Sequence, residues 1–374
     1  MNGPGPKRPL RGVFLALLIA VLSLSACVEI NIDLPTNEPP ATEAAPAEEP
    51  GEPPDPNPTE TPALLDPSIE PYFTGSETRA AVLIDALTMA LASATDGIDM
   101  AMYNFSLDEV GQALLDAKAR GVRVRVVAES DSLDGRWFQK FQDNGIEVLG
   151  DRREGLMHNK FLVIDGREVW TGSLNLTWSG ISNDDNNFTR FVSPDMAQRY
   201  TAVFNAMFED DRFGPDRSPS GLSAQVTVGE TPVEVYFSPA DRAEKRLVEL
   251  VRGANKSIRM LAYSFTSDAL GEALMDQAAA GLAVQIVCDE DQADGQGAEY
   301  AALRQAGLDV RLDGNSGLLH DKVLIIDDEI VVLGSYNFTR AANQTNDENV
   351  VVVMSAQLAA QYQAAFEQIY RAGH

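Results

Sequence analysis

The chain has 374 residues, 44% of them hydrophobic, enough apolar material for a buried core and for two or three domains. Its formal net charge of -27 excludes broad long-range attraction to polyanions and predicts a soluble surface. Three histidines and two cysteines leave few ligands for a transition metal and exclude a disulfide-built scaffold.

Taken in order, the chain begins with Lys7, Arg8 and Arg11, followed by an apolar run over residues 12–24 that is too short to span a bilayer comfortably. That is the pattern of a targeting signal. It ends in Leu24-Ser25-Ala26-Cys27, which resembles the lipobox of bacterial lipoproteins. The resemblance implies that residues 1–26 are a cleaved signal peptide and that Cys27 is acylated. The protein would then be held at a membrane outside the cytoplasm. Residues 28–70 carry eleven Asp and Glu, no Lys or Arg, and much Pro, Ala and Thr. Such a segment cannot bury enough apolar surface to fold, so residues 27–70 read as an extended, disordered tether.

Beyond the tether, helical spacing over residues 75–94 is followed by a strand at 98–103, a helix at 107–120 stopped by Gly121, and a strand at 122–127. A helix near 135–143 and a strand at 146–149 lead into strands at 160–164 and 168–171, and a helix closes the half at 196–209. The second half repeats this from residue 233. Ala101-Met102-Tyr103-Asn104-Phe105 matches Leu261-Ala262-Tyr263-Ser264-Phe265, and Gly111-Gln112-Ala113-Leu114 matches Gly271-Glu272-Ala273-Leu274. Only two inserted residues keep the halves in register from Gly121 to His158. The chain is therefore a duplication. It predicts two homologous α/β repeats, 71–215 and 216–374, each a mixed sheet flanked by helices, packed pseudo-twofold as an internal dimer in a monomer. The Gly-, Pro- and Ser-rich stretch 211–230 is the natural boundary. Cys288 ends an apolar run and reads as a small buried residue, while His374 is expected to lie disordered at the terminus.

One motif is written twice. His158-Asn159-Lys160 is followed by Asp165 and then Gly172-Ser173-Leu174-Asn175; His320-Asp321-Lys322 is followed by Asp327 and then Gly334-Ser335-Tyr336-Asn337 at the same spacing. On a strand, His158 and Lys160 share one face and Asn159 takes the other, and the second copy behaves alike. Cleaving a phosphodiester needs a nucleophile, an acid for the leaving oxygen, and positive or donating groups around the phosphoryl oxygens. Two histidines can fill the first two roles near neutral pH. Lys160 and Lys322 supply charge, while Ser173, Asn175, Ser335 and Asn337 are candidate phosphate-binding donors. Asp165 and Asp327 complete the candidate catalytic motif, although their place past an apolar run favours a structural or supporting role. A metal site is the rival chemistry, and it lacks ligands: lysine coordinates poorly and only two histidines are available. Arg152 and Arg153 could meet a phosphate, and Tyr103, Phe105, Tyr263 and Phe265 could line a cleft; surface charge and core packing are the plainer readings.

This doubled pattern resembles the phospholipase D superfamily over nearly all of residues 71–374, and residues 261–353 look especially like its small bacterial endonucleases and cardiolipin hydrolases. The resemblance implies a hydrolase that needs no metal or other cofactor and works through a phosphohistidine. It implies His158 as nucleophile and His320 as acid and base. It also implies an acidic residue after each Gly-Ser-x-Asn that supports the histidine. Glu348 fits that position in the second half and would support His320, whereas the first half offers Asn186, which leaves two readings: Asp185 beside it supports His158 instead, or the two histidines exchange roles. The expected substrate is a phospholipid head-group phosphodiester, favoured by the membrane anchor and the acidic chain. The alternatives are an extracytoplasmic nuclease acting on DNA or RNA, and a surface module that only binds phosphate.

Overall fold

The computed structural model describes residues 68–374, so the expectations for the signal peptide, Cys27 and nearly all of the tether lie outside the described residues. The tether reading ran to residue 70, yet the first strand already starts at Ile69. Ile69 is buried there and pairs with Phe191, so its apolar side chain outweighs the acidic character of the preceding stretch.

The first half builds a seven-stranded mixed sheet. Its strands are β1 (Ile69–Phe73), β2 (Gly97–Met102), β3 (Arg123–Ala128), β4 (Glu147–Gly150), β5 (Lys160–Ile164), β6 (Glu168–Gly172) and β7 (Asn187–Val192), in the order β1-β7-β6-β5-β2-β3-β4. β2, β3 and β4 run parallel because helices cross between them, whereas β5 and β6 are joined by a tight turn and pair antiparallel. The helices are α1 (Glu77–Ser93), α2 (Asp108–Ala119), α3 (Arg136–Asp143), the short α4 (Trp178–Ser182) and α5 (Pro194–Phe208). The second half has eight strands: β8 (Gln225–Val228), β9 (Thr231–Ser238), β10 (Ser257–Ala262), β11 (Ala283–Cys288), β12 (Asp309–Leu312), β13 (Lys322–Ile326), β14 (Ile330–Gly334) and β15 (Glu348–Met354). Their order, β12-β11-β10-β13-β14-β15-β9-β8, repeats that of the first sheet with one strand added at the edge. Its helices are α6 (Ala243–Arg252), α7 (Asp268–Ala279), α8 (Glu290–Ala293), α9 (Tyr300–Gln305), α10 (Arg340–Gln344) and α11 (Ala356–Ala372).

Strand periodicity sets the layers. Leu162 and Ile164 turn outward into a core with α1, α2 and α3, while Phe161 and Val163 turn inward. Leu324 and Ile326 likewise face α6 and α7, and Val323 and Ile325 face inward. The inward side chains of both sheets meet in one central core with α5 and α11, through Tyr200, Phe204, Tyr362 and Phe366. The two motif strands are therefore apolar on both faces and fully covered.

The stretch 211–230 is no loose linker. Phe213 and Arg217 are buried, Arg217 Nε lies 3.2 Å from Asp347 Oδ1, and β8 pairs with β9. Cys288 is a buried thiol that burial pushes up to about 12. His374 departs from expectation: its backbone exchanges both hydrogen bonds with Leu312, at 3.0 Å each, adding an edge residue to the sheet.

Candidate active site

Short backbone bridges join the repeats where each motif begins. His158 N donates to Asp347 O at 3.0 Å and Asp347 N to Leu156 O at 2.8 Å; His320 N donates to Asp185 O at 2.9 Å and Asp185 N to Leu318 O at 2.8 Å. His158 is thereby laid beside the first residue of β15, and His320 beside the residue just before β7. His158 Nδ1 lies 2.8 Å from Glu348 Oε2, and His320 Nδ1 lies 2.8 Å from Asn186 Oδ1. The expected support is thus crossed. Glu348 holds the first-half histidine instead of its own repeat's, and Asp185 holds no histidine side chain, because the bridge directs its carboxylate toward Asn315.

Hydrogen-bond counting fixes both tautomers. Ser335 Oγ accepts from Asn349 N at 3.0 Å and donates to Glu348 Oε2 at 2.7 Å, so Oε2 is an acceptor and His158 carries its proton on Nδ1. Asn186 Nδ2 donates to Gly180 O at 3.0 Å, which makes Asn186 Oδ1 an acceptor for both Ser173 Oγ, at 2.9 Å, and His320 Nδ1. Both histidines therefore keep the Nε2 lone pair for the cleft they line.

Lys160 and Lys322 are buried behind them. Lys160 Nζ donates to His158 O at 2.8 Å and sits 5.0 Å from the Tyr103 ring centre; Lys322 Nζ donates to His320 O and sits 4.7 Å from that of Tyr263. Burial lowers Lys160 to about 7, with Glu348 opposing, and burial together with Lys160 lowers Lys322 well below the usual lysine range. Burial and the lysines also hold both histidines well below the usual imidazole range. Burial pushes the Glu348 carboxyl up to about 8, against the pull of Lys160, Ser335 and Lys322. With the Glu348 carboxyl itself pushed up, these four cationic or potentially cationic groups favour the binding of an anion.

The remaining candidates separate. Asn175 and Asn337 line the cleft, and the Oδ1 atom of each is buried without a partner. Ser173 and Ser335 do not reach it: both are fully buried, and their hydroxyls are committed to Asn186 and Glu348. They are positioning residues and not phosphate ligands. The glycine before each serine follows from the same packing, since a Cβ on Gly172 would stand 2.2 Å from Asn187 O. Asp165 and Asp327 leave the catalytic set. Asp165 caps the start of β2 by accepting from the backbone N–H of Thr95, Asp96 and Gly97 at 2.8–3.2 Å, and Asp327 does the same for Asn255, Lys256 and Ser257. Both adopt positive φ at the turn after the motif strand, 51° and 58°. Tyr103 and Tyr263 line the cleft, their rings 4.8 and 4.7 Å from those of His158 and His320, whereas Phe105 and Phe265 are core. Arg152 and Arg153 pair with Asp211 and Asp216.

The cleft itself is about 670 Å³ and takes its walls from both repeats. Besides the histidines it is lined mainly by neutral polar groups, among them Asn104, Thr177, Ser264, Thr266 and Gln292; Arg340 is the one Lys or Arg in that lining. Among the described residues, no cluster of three or more His, Cys, Asp or Glu could hold a metal ion, and no helix is long and apolar enough to cross a membrane.

The chain is similar to known proteins. Residues 87–208 and 247–370 match the family described as "Cardiolipin synthase, PLD-like domain". A phospholipase D of Rickettsia bellii is 35% identical over 130 residues, covering 35% of this chain and 65% of that protein. A mitochondrial cardiolipin hydrolase of Chlamydomonas reinhardtii is 31% identical over 155 residues, covering 41% of this chain and 66% of that protein. The chain thus spans just under two thirds of the length of these relatives. The crystal structure of phosphatidylserine synthase from Haemophilus influenzae has a TM-score of 0.63 at 16% identity, covering 82% of this chain and 87% of that one, a likeness of fold.

Proposed function

The chain belongs to the phospholipase D superfamily, and on that premise we propose that it is a phosphodiesterase acting on a phospholipid head group through a phosphohistidine. One observation carries the reading: two histidines with fixed tautomers present Nε2 to a single cleft backed by two buried lysines.

In the proposed first step, His158 Nε2 attacks phosphorus. The P–O bond to the leaving group breaks, and protonated His320 gives its Nε2 proton to the departing alkoxide. His158 becomes cationic as the N–P bond forms, and the Glu348 carboxylate at 2.8 Å stabilises that charge. In the second step, His320 Nε2 takes a proton from water as the water oxygen attacks phosphorus and the N–P bond breaks. Asn175 and Asn337, which line the cleft, are placed to meet the phosphoryl oxygens, and Lys160 and Lys322 supply charge from behind the histidines. The support of Glu348 for His158, and of an uncharged amide for His320, favours His158 as the nucleophile.

The substrate follows from charge. A polynucleotide carries a phosphate on every nucleotide, and nonspecific binding to it requires several Lys or Arg along its path. A cleft with Arg340 as its one lining cation suits a single phosphodiester better. The proposed acylated Cys27 would concentrate the enzyme on a membrane surface, extracytoplasmic and lipid-anchored. The test is to incubate the full chain, in EDTA, with vesicles of phosphatidylcholine or cardiolipin and separately with single- and double-stranded DNA. Release of head group or phosphatidic acid supports the proposal. Cut DNA with intact lipid replaces it with the nuclease, and activity that appears only after adding a divalent cation overturns the metal-independent mechanism.

A further inference from the structure

The two halves of the site differ in where they keep their negative charge. Around His158 the cluster runs from Glu348 to Ser335 and Asn349, and Asn349 Nδ2 reaches Asn159 Oδ1 at 3.1 Å. Around His320 it runs from Asn186 to Ser173 and Asn187, and Asn187 Nδ2 reaches Asp321 Oδ1 at 2.6 Å. The positions correspond one for one. Glu348 in the first cluster answers to Asn186 in the second, and Asn159 in the first answers to Asp321 in the second. Each cluster therefore contains one carboxylate, but in the second two residues, Ser173 and Asn186, stand between it and the imidazole.

Asp321 is 3% exposed, an environment that an unpaired carboxylate does not occupy without cause. Its Oδ1 accepts from Asn187 Nδ2 and lies 3.4 Å from Ser173 Oγ, and that same hydroxyl donates to Asn186 Oδ1, which accepts from His320. A chain of polar contacts thus leads from the carboxylate to the histidine. The charged groups facing His320 are Lys322 on its own strand, with Lys160 and His158 from the other repeat; all three disfavour an imidazolium. Facing Asp321 are Lys322 and Asp185, with the phenol of Tyr362 from α11 nearby. Burial, the largest influence, pushes Asp321 up to about 6, so it carries its charge at neutral pH.

We infer that Asp321 is a positioning residue for the acid–base histidine, supplying from behind Ser173 and Asn186 the negative charge that position 186 itself lacks. A neutral amide next to His320 fixes the ring but cannot favour its protonated form, which the first step requires. Asp321 provides that bias through space from behind the amide, held in place by the bond it accepts from Asn187 Nδ2; the Ser173 proton is committed to Asn186, so its oxygen is a neighbour of the carboxylate at 3.4 Å. The role as acid and base rests on the proposed phosphodiesterase reading; the electrostatic link to His320 does not, and the test reads that link directly.

The chain has three histidines, so their imidazole nitrogens can be followed individually by long-range proton–nitrogen NMR on the full chain, with His158→Asn and His320→Asn spectra for assignment. The His320 titration midpoint is compared between wild type and Asp321→Asn. Removing a buried opposite charge that lies behind Asn186 and Ser173 is expected to lower that midpoint by about one pH unit. It is also expected to lower kcat on an alkyl phosphodiester about tenfold with little change in KM, and to do so less for a diester whose leaving group departs without protonation. If Asp321→Asn does not fold, the same difference is read between Asn186→Glu and Asn186→Glu/Asp321→Asn, where a carboxylate stays in the cluster. Equal His320 midpoints with and without the Asp321 charge, in either background, overturn the inference. A shifted midpoint in a chain with no phosphodiesterase activity leaves the link standing and removes the functional reading; an unshifted midpoint in an active enzyme does the reverse.

Discussion

Glu348→Gln isolates the carboxylate charge at the proposed nucleophile. The amide keeps the side-chain shape and can still accept from His158 Nδ1 and Ser335 Oγ, so ground-state geometry is retained while the charge is lost. With nitrogen and oxygen 2.8 Å apart, the charge centres of a cationic His158 and the carboxylate lie roughly 4 Å apart, an interaction of about 4 kcal/mol at an effective dielectric of about 20. That charge on His158 exists only once the N–P bond is forming, so the interaction acts on the barrier. At about 1.36 kcal/mol per factor of ten, the first step slows by roughly 10³-fold. Stopped-flow release of nitrophenolate from bis(4-nitrophenyl) phosphate reads this step, because its leaving group needs no proton. KM is expected to change little. Burial holds the Glu348 carboxyl near 8, so it gains charge as pH rises toward that value. The ratio of wild-type to variant rates should therefore climb from pH 6 and level off above about 8. A first step slowed less than tenfold, or a loss confined to the second step, would falsify His158 as the nucleophile.

Other outcomes follow from the same geometry. Asp165→Ala and Asp327→Ala each remove several charge-assisted bonds to backbone N–H groups, partly exposed, and are expected to cost about 1–3 kcal/mol in thermal unfolding while kcat/KM of the folded enzyme holds. The backbone bonds lower both carboxyls, against burial, so this stability is present above about pH 4 and is lost as pH falls through the lower folded values; lost activity at unchanged Tm would return these residues to the catalytic set. Lys160, near 7 in the empty site, is largely neutral at pH 8, and a bound anion raises it again. Dimethyl phosphate should therefore bind with uptake of up to about one proton at pH 8, read by calorimetry in two buffers of different ionisation enthalpy; identical heats in both count against a buried lysine at the phosphate. Gly172→Ala drives a Cβ into the Asn187 carbonyl and should cost about 2–3 kcal/mol, a drop in Tm of several degrees, and an unaltered Tm would mean that β6 and β7 are not packed as described.

Much of this was legible in the sequence, and the reasons are local. A strand's two-residue period puts His158 and Lys160 on one face and sends Asn159 to the other, and Asn159 indeed meets Asn349 in the interface. The apolar runs 161–164 and 323–326 could be read as strands covered on both faces because each parity has its own core. The serines were misjudged because donor chemistry is visible in a sequence and burial is not. Ser173 and Ser335 have the right groups, already used. The crossing of Glu348 to His158 was illegible for another reason. Aligning two halves assigns each residue a counterpart but not a neighbour, and the neighbours are set by backbone bridges between Met157 and Asp347 and between Asp185 and Leu319.

That crossing also explains how one chain can hold two unlike histidines. In a symmetric dimer of identical subunits, every residue of one half-site is repeated in the other, so both histidines would share the same type of partner. Fusing the halves removes that constraint. Position 348 holds a carboxylate where position 186 holds an amide, and position 321 holds a carboxylate where position 159 holds an amide. Each cluster thus holds one buried carboxyl group, directly on His158 in the first and behind Ser173 and Asn186 from His320 in the second. A nucleophile that becomes cationic gains most from direct contact. An acid that must give up its proton and then recover it gains from a weaker, more distant bias, since full stabilisation of the imidazolium would hinder the transfer. On the proposed mechanism, the division of labour between the histidines is a matter of where two carboxylates sit, and the fold's crossed bridges place residues of each half on the histidine of the other.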